Sequence, residues 1–150
     1  MSTKLVINGV PMSKYATRGV KESMGVLEDS SQTRRTINKV LRYVGVGEPA
    51  RKFTFTYQGE DLTGLPIDAL YVGLIVTFHA VGEFSKSGLL PPDPNDWTDN
   101  IRPIVPGSLR QGIDGFIYYR PVITGMVTSF STELDEWGAV TSWSLELAEV

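Results

Sequence analysis

The sequence predicts an all-β domain: a β-sandwich or β-barrel of antiparallel strands with a long proline-rich loop and a C-terminal β-hairpin. Short runs of alternating, β-branched or aromatic residues recur along the chain, separated by turn residues. The 15 glycines and 9 prolines interrupt almost every window that is long enough for a helix. We find no repeat, heptad pattern or linker in the 150 residues, so we expect one domain over residues 1–150.

The N-terminal part contains two short strand signals. Residues 5–7 are apolar and precede Asn8-Gly9, a dipeptide typical of hairpin turns because both residues tolerate a positive φ. Residues 20–26 alternate weakly between two faces. We therefore expect a strand at each place and a hairpin turn after the first.

A hairpin is predicted next, because residues 33–37 and 40–44 are rich in β-forming side chains and flank the two-residue turn Asn38-Lys39. This hairpin also carries four basic residues. They could contact phosphates, but they form a weak patch on an acidic protein, and docking onto an acidic protein surface explains them as well. These candidate interface residues are Arg34, Arg35, Lys39 and Arg42.

Three further strands are indicated in the middle of the chain. Residues 53–57 alternate cleanly and predict a half-buried strand, whereas residues 72–81 are nearly all apolar and predict a central strand covered on both faces. Residues 116–124 predict a strand whose Pro121 lies at an edge or a bulge, because proline has no N–H to donate. The best helical candidate is a single turn at residues 64–70.

The clearest signal is a long C-terminal hairpin with one dry face and one face rich in serine and glutamate. The dry face of its first strand would carry Met126, Thr128, Phe130, Thr132 and Leu134. The dry face of its second strand would carry Ala139, Thr141, Trp143, Leu145 and Leu147. A polar turn that ends in glycine, residues 135–138, would join the two strands.

An extended loop or arm is predicted at residues 85–112, which contain five of the prolines. An irregular segment of this length is usually functional or disordered, and its proline density favours a stiff one. Disordered segments are poor in apolar side chains, whereas this one carries Leu89, Leu90, Trp97, Ile101, Ile104 and Val105. We expect the arm to bury these side chains against its own domain or against a neighbouring subunit.

The charge of the chain is unevenly distributed, although its net value is only −3. Residues 1–52 carry ten Lys/Arg against four Asp/Glu, a balance of +6, and residues 53–150 carry four against thirteen, a balance of −9. Opposed ends of this kind would let copies of the chain attract each other. Chance segregation of solvated charges within one fold explains the pattern equally well.

The sequence contains no motif that predicts catalysis, so we expect no enzyme and no cofactor. The chain has no cysteine and one histidine, His79, which lies in an apolar run without a nucleophile or a carboxylate at a catalytic spacing. We interpret it as a half-buried structural histidine. No Walker loop, dinucleotide-binding glycine pattern, nucleophile elbow or zincin helix is present.

Two acidic clusters are candidates for a metal site or a catalytic site. Residues 93–100 place oxygen ligands at alternate positions but lack the glycine and the glutamate of an EF-hand loop, so we expect a capped turn and no metal. Glu133, Asp135 and Glu136 lie at a hairpin turn, where solvated acidic residues are common, although a glycosidase also uses a carboxylate pair. We include these three residues and Trp137 in the candidate interface.

Two stretches of the chain resemble bacteriophage tail proteins. The first contains an Ile-Asn-Gly turn that leads to an Arg-Thr-Ile-Asn hairpin and resembles the start of small virion proteins; it runs over residues 5–12 through 31–38. The second is similar to the closing hairpin of tail and baseplate-type subunits; it comprises residues 116–121, 127–131, 135–138 and 143–147. The family pattern usually has Asn-Gly where this chain has Asn38-Lys39. The resemblance implies a β-sandwich or β-barrel subunit repeated in a ring, with no activity and no cofactor.

The leading functional expectation is therefore a structural subunit of a bacteriophage tail, in the tail tube, the tail tip or a baseplate ring. Its partners would be copies of itself and other virion tail proteins, and acidic residues such as Glu133 and Glu146 could line a lumen through which DNA passes. It would be made in the host bacterial cytoplasm, reside in the virion and contact no membrane, because no apolar run approaches the ~20 residues of a membrane helix.

Two alternatives remain open. The first is a capsid decoration or head–tail neck protein. The second is a carbohydrate-binding β-sandwich module with Trp97, Trp137 and Trp143 as platforms, although alternation places Trp143 on the apolar face of its strand.

Overall fold

Nearly all of the regular structure in the computed structural model is antiparallel β, and this confirms the class predicted from the sequence. The structure describes residues 4–26, 33–43, 52–98, 102–134, 137 and 141–150. The strands are β1 Val6–Asn8, β2 Lys21–Val26, β3 Thr33–Arg35, β4 Leu41–Tyr43, β5 Phe53–Asp61, β6 Ile75–His79, β7 Phe84–Ser87, β8 Arg110–Gln111, β9 Phe116–Tyr119, β10 Val122–Leu134 and β11 Thr141–Glu149.

Helical structure in the described residues is limited to three single turns. They are the helix α1 at Lys14–Thr17 and the 3₁₀ turns at Ile67–Ala69 and Pro94–Asp96. The helical turn expected within residues 64–70 is confirmed, whereas α1 was not predicted. None of these turns has the length and hydropathy that a membrane-crossing helix requires.

Six strands form the main sheet in the order β1-β6-β10-β11-β5-β2, and each neighbouring pair is antiparallel. β1 pairs with β6 instead of the strand that follows it, so the hairpin expected at Asn8-Gly9 is wrong. Gly9 does adopt a positive φ of 86°, which turns the chain away from the sheet toward α1.

The main sheet curls back on itself around an aromatic core. Phe55 and Tyr57 on β5 are buried, as the alternation of residues 53–57 predicts. Phe78 on β6 packs edge-on against both rings, at 5.4 Å and 6.0 Å between ring centroids. Because β10 and β11 separate β6 from β5 in the sheet, rings from these two strands can meet only if the sheet is strongly curved.

A side chain closes the gap that this curvature leaves between β2 and the loop after β6. The carboxylate of Glu22 on β2 accepts hydrogen bonds from the backbone N–H groups of Val81 (2.8 Å) and Gly82 (3.0 Å). An added Cβ at Gly82 would lie 2.9 Å from the Glu22 carboxylate, so the glycine allows this close approach. We call this contact the Glu22 latch.

β10 and β11 form the predicted C-terminal hairpin, but a β-bulge at Thr128 changes which side chains of β10 face the core. Before the bulge residues 123, 125 and 127 are buried, and after it Phe130 and Thr132 are less exposed than their neighbours. The prediction that Met126, Thr128 and Leu134 belong to the dry face is therefore wrong, since all three are exposed. β11 has no bulge, and its dry face is confirmed for the described residues Thr141, Trp143, Leu145 and Leu147.

Two other predicted strands are shorter than expected. β6 covers only the middle of residues 72–81, and Ile75 is exposed, so the prediction of a strand covered on both faces is wrong. The run 116–124 is divided into β9 and β10 at Arg120-Pro121. The buried Pro121 thus stands where the chain passes from one sheet to another, because it cannot continue the ladder of β9.

The second sheet contains three strands in the order β7-β9-β8 and contacts the main sheet. Phe84 on β7 contacts Phe53 on β5 and Tyr119 on β9, with ring centroids 5.8 Å and 6.0 Å away. These edge-on contacts join the two sheets through one aromatic side chain.

The described residues of the predicted arm at 85–112 make many contacts with their own chain. Ile104 forms a β-bridge with Pro121, and Val105 is buried. Arg102 makes two hydrogen bonds with the Glu149 carboxylate, at 2.7 Å and 2.8 Å, and both side chains are 8% exposed. The sequence analysis expected the segment to pack against its own domain or against a neighbouring subunit. The contacts in this structure are with its own domain.

Candidate functional site

The β3–β4 hairpin is a two-stranded sheet on its own among the described residues, and it is the first candidate interaction element. Its apolar side chains are unusually open to solvent. Ile37 is 100% exposed, and Val40 and Leu41 are each more than half exposed. An isolated two-stranded hairpin is marginally stable in water at best, so an element of this kind gains from a partner surface.

The predicted hairpin is confirmed, but its turn differs from the two-residue turn expected at Asn38-Lys39. The N–H of Lys39 donates to the carbonyl of Thr36 (2.8 Å), and the N–H of Thr36 donates to the carbonyl of Val40 (2.9 Å). Ile37, Asn38 and Lys39 form a three-residue loop in which Lys39 has a left-handed φ of 63°. Glycine commonly occupies that position in such loops.

The basic residues predicted for the interface lie together on this hairpin. The side chains of Arg35, Lys39 and Arg42 are exposed, and a guanidinium nitrogen of Arg35 donates to the Lys39 carbonyl (3.1 Å). The register places Arg34 directly opposite Arg42. Like charges at opposed positions of two strands destabilise their pairing unless a counter-charge is near.

The second candidate element is a groove of about 330 Å³ across four neighbouring strands of the main sheet. Alternation places its polar side chains on the face of the sheet opposite Tyr57 and Trp143. We call it the polar groove, and the residues lining it are Gly19, Lys21, Gln58, Gly59, Glu60, Ser131, Glu133, Ser142, Trp143 and Ser144.

The register arranges the polar groove in two rows. One row contains Lys21, Gln58, Ser144 and Ser131, which are successive cross-strand partners from β2 to β10. In the other row Ser142 is paired with Glu60 on one side and with Glu133 on the other. Adjacent strands are about 4.8 Å apart, so the two glutamate positions lie about 10 Å from each other across the groove.

Of the predicted interface residues, only Glu133 lines the groove, and Asp135 and Glu136 lie outside the described residues. Trp137, at the tip of the C-terminal hairpin, is 87% exposed, and Leu89 is 79% exposed. Leu90 is partly buried, and its backbone N–H donates to the side chain of Gln111 (2.8 Å).

The tryptophans expected to act as carbohydrate platforms have different surroundings. Trp143 is 3% exposed, and its indole N–H donates to the carbonyl of Ala16 in α1 (2.8 Å). Trp97 is partly buried, with its ring centroid 5.2 Å from that of Tyr119. Among these three side chains, Trp137 is the one that presents its ring to solvent.

The opposed charges of the two chain ends partly meet within one molecule. Arg18 forms a two-pronged ion pair with Asp61, at 2.7 Å and 2.9 Å, and its hydrogen bond holds the pKa of that carboxyl below its usual value. Arg110 acts on Glu83 in the same way and lowers the pKa of Glu83.

The pKa of a third carboxyl is shifted by a phenol. Tyr118 donates a hydrogen bond to Asp114, which lowers the pKa of Asp114 and raises that of Tyr118. Arg110 stacks over the Tyr118 ring, 4.3 Å from its centroid. These groups stabilise the second sheet and lie away from the polar groove.

No group of three or more metal-binding side chains occurs in the part of the chain that the structure describes. The segment with calcium-like spacing, which begins at Asp93, contains the expected capped turn: the Asp93 carboxylate accepts a hydrogen bond from the Asn95 N–H (3.1 Å). His79 is half-buried on β6, as predicted.

Most residues of the polar groove were not identified from the sequence. Gln58, Glu60, Ser142 and Ser144 occupy the solvent-facing positions of β5 and β11, and alternation gives that orientation. The sequence does not show that β5 pairs with β11. That non-local pairing places Gln58 beside Ser144 and Glu60 beside Ser142 and so forms the two polar rows.

Comparison of the chain with protein-family models found no match, and comparisons with curated proteins and with solved structures found no significant similarity.

Proposed function

We propose that this protein is a structural subunit of a bacteriophage tail, in the tail tube, the tail tip or a baseplate ring, and that it assembles with copies of itself. The resemblance in its N-terminal and C-terminal stretches motivates the choice of a virion. The observation that carries the proposal of assembly is the β3–β4 hairpin, a separate two-stranded sheet with exposed apolar side chains.

The hairpin supports assembly for an energetic reason. Ile37 at its tip is fully exposed, and Val40 and Leu41 beside it are more than half exposed. Burial of apolar surface contributes about 25 cal/mol per Å², so a partner that covers three such side chains stabilises the complex by several kcal/mol. In a free subunit these side chains remain in contact with water, and this stabilisation is absent.

The main sheet provides further surfaces for neighbours. Its edge strand β2 exposes Met24 and Val26, and edge strands can accept an additional strand from another molecule. A ring requires two different patches that meet with a rotation that closes, and a projecting hairpin and a sheet are two such patches.

The experiment is a measurement of mass and symmetry in solution. We expect sedimentation and negative-stain images of the purified protein to show rings or stacked rings with three-fold or six-fold closure. A variant carrying Ile37→Ser and Leu41→Ser should remain folded and shift toward monomer, whereas the control Ile113→Ser, which also removes an exposed apolar side chain, should assemble normally.

Other results would contradict the proposal. A strict monomer that binds glycans on an array would favour a carbohydrate-binding module. Placement with sixty-fold symmetry on a shell would favour a capsid decoration protein.

A further inference from the structure

We infer that the polar groove is the receptor for the β3–β4 hairpin of a second copy of this chain. The inference rests on the proposed function and deepens it, because it identifies both halves of one subunit interface. The two surfaces belong to different parts of the fold, as a ring-forming interface requires.

Charge is the first argument. Residues 33–43 contain four basic residues and no acidic one. In the groove, Glu60 and Glu133 stand on either side of Ser142, about 10 Å apart by strand spacing. A cationic side chain placed over Ser142 would lie between two carboxylates, an arrangement that steers association and fixes the register of the partners.

The register of the hairpin is the second argument. Arg34 and Arg42 are directly opposed, which is unfavourable in an isolated hairpin. An acidic partner surface removes this penalty, and a neutral one leaves it. Negative charge on the receptor therefore favours docking of the hairpin, in addition to the burial of its apolar side chains.

Size is the third argument. The groove extends over four strands, about 14 Å at the usual strand spacing, and a hairpin is only two strands wide. Its cavity of about 330 Å³ has room for several side chains. The three-residue loop 37–39 would enter first, with Lys39 placed over Ser142 and closer to Glu133, because Lys21 pairs with Gln58 and so lies diagonally beside Glu60.

The test uses two charge-altered variants of the full chain. The groove variant carries Glu60→Lys and Glu133→Lys, and the hairpin variant carries Lys39→Glu and Arg42→Glu. Arg35 is kept because it donates to the Lys39 carbonyl. The matched control carries Asp68→Lys and Asp96→Lys, which reverse two exposed acidic residues outside the groove.

We expect each variant alone to need at least tenfold more protein than the wild type to assemble, as measured by sedimentation velocity. In a six-fold ring the two variants can alternate, so an equimolar mixture should recover assembly: the wild-type hairpin of one variant then meets the acidic groove of the other, and the altered hairpin meets the basic groove. The control should assemble like the wild type, and wild-type assembly should weaken as salt is raised.

The possible results separate the inference from the proposed function. A wild type that stays monomeric at all concentrations overturns both. A wild type that forms rings while the groove variant forms them equally well overturns the inference alone and favours the β2 edge as the receptor. If the groove variant is unfolded by circular dichroism, Glu60→Gln with Glu133→Gln replaces it, and unchanged assembly of that variant also overturns the inference.

Discussion

At the scale of single residues, Lys39 combines a charge that we propose contacts the partner subunit with an unfavourable backbone conformation. Its φ of 63° is left-handed, which costs an ordinary residue roughly 1–2 kcal/mol, whereas glycine pays roughly 0.5–1 kcal/mol in entropy instead. We therefore expect Lys39→Gly to stabilise the hairpin by about 0.5–1 kcal/mol. Amide hydrogen exchange at Thr36, whose N–H closes the hairpin, should become about two- to fivefold slower.

The control for this prediction is Lys39→Ala, which removes the same charge but keeps a Cβ in the left-handed conformation. Its Thr36 amide should exchange no more slowly than in the wild type. Equal protection in the glycine and alanine variants would show that the charge, and not the backbone, determines the stability of the turn.

At the scale of elements, one glycine–tryptophan pair sets how closely β5 and β11 approach α1. An added Cβ at Gly59 would lie 2.5–2.7 Å from three indole atoms of Trp143, which is its cross-strand partner. Overpacking of this kind costs about 1–3 kcal/mol, so Gly59→Ala should lower the free energy of unfolding by that amount. Urea denaturation measures it directly.

A double-mutant cycle tests the cause. Trp143→Phe removes the indole atoms that the new methyl group would meet, together with the hydrogen bond to Ala16. In that background Gly59→Ala should cost clearly less than in the wild type. Gly25→Ala serves as the control, because its added Cβ would meet only the Thr54 hydroxyl at 3.3 Å. Additive costs would exclude the steric explanation.

Strand positions could be predicted from the sequence where alternation is regular, whereas strand partners could be predicted only for the two local hairpins, β3–β4 and β10–β11. β5 and β11 alternate without interruption, and their buried faces agree with the prediction. In β10 the bulge at Thr128 shifts the alternation, and no glycine or proline within two residues of Thr128 marks the irregularity. The prediction of a hairpin at Asn8-Gly9 was wrong for a related reason. A local turn signal does not determine which strand pairs with β1.

Of the two candidate interaction surfaces, only the β3–β4 hairpin could be predicted from the sequence. The basic hairpin is formed by contiguous residues, so its turn signal and its charges were visible together. The polar groove combines side chains from β2, β5, β10 and β11, and their adjacency depends on long-range pairing. Glu133 alone was identified, because it stands beside a turn that the sequence does mark.

At the scale of the whole molecule, the Glu22 latch holds the curled main sheet closed. Each carboxylate oxygen of Glu22 accepts from one backbone N–H. Glu22→Gln keeps one acceptor and places an amide NH₂ against the other N–H. The unsatisfied donor should cost about 1–3 kcal/mol of stability in urea denaturation.

Glu146→Gln is the matched control, since Glu146 is exposed on β11, and it should change stability by less than about 0.5 kcal/mol. Protection of the Val81 amide from hydrogen exchange should fall in the latch variant and not in the control. A latch variant as stable as the wild type would mean that packing alone keeps the sheet curled.

Acid sensitivity is the second property of the whole molecule, because three carboxyls, Asp61, Glu83 and Asp114, have pKa values lowered by folding. A group whose pKa is lower in the folded state stabilises the fold above its unfolded pKa, which is about 4 for these side chains. That stabilisation is lost as the pH falls through the folded pKa values. We therefore expect the urea midpoint to decrease from about pH 5 downward.

The partners of these carboxyls make the pH prediction specific. Glu83→Gln and Arg110→Gln should each flatten the dependence of the urea midpoint on pH, because either change removes the ion pair that is the main cause of the lowered pKa of Glu83. Asp114→Asn and Tyr118→Phe should also flatten it, because the hydrogen bond from Tyr118 is the main cause of the lowered pKa of Asp114. Curves that run parallel to the wild type between pH 6 and pH 3 would contradict this origin, because linkage requires the slope to follow the number of protons bound on unfolding.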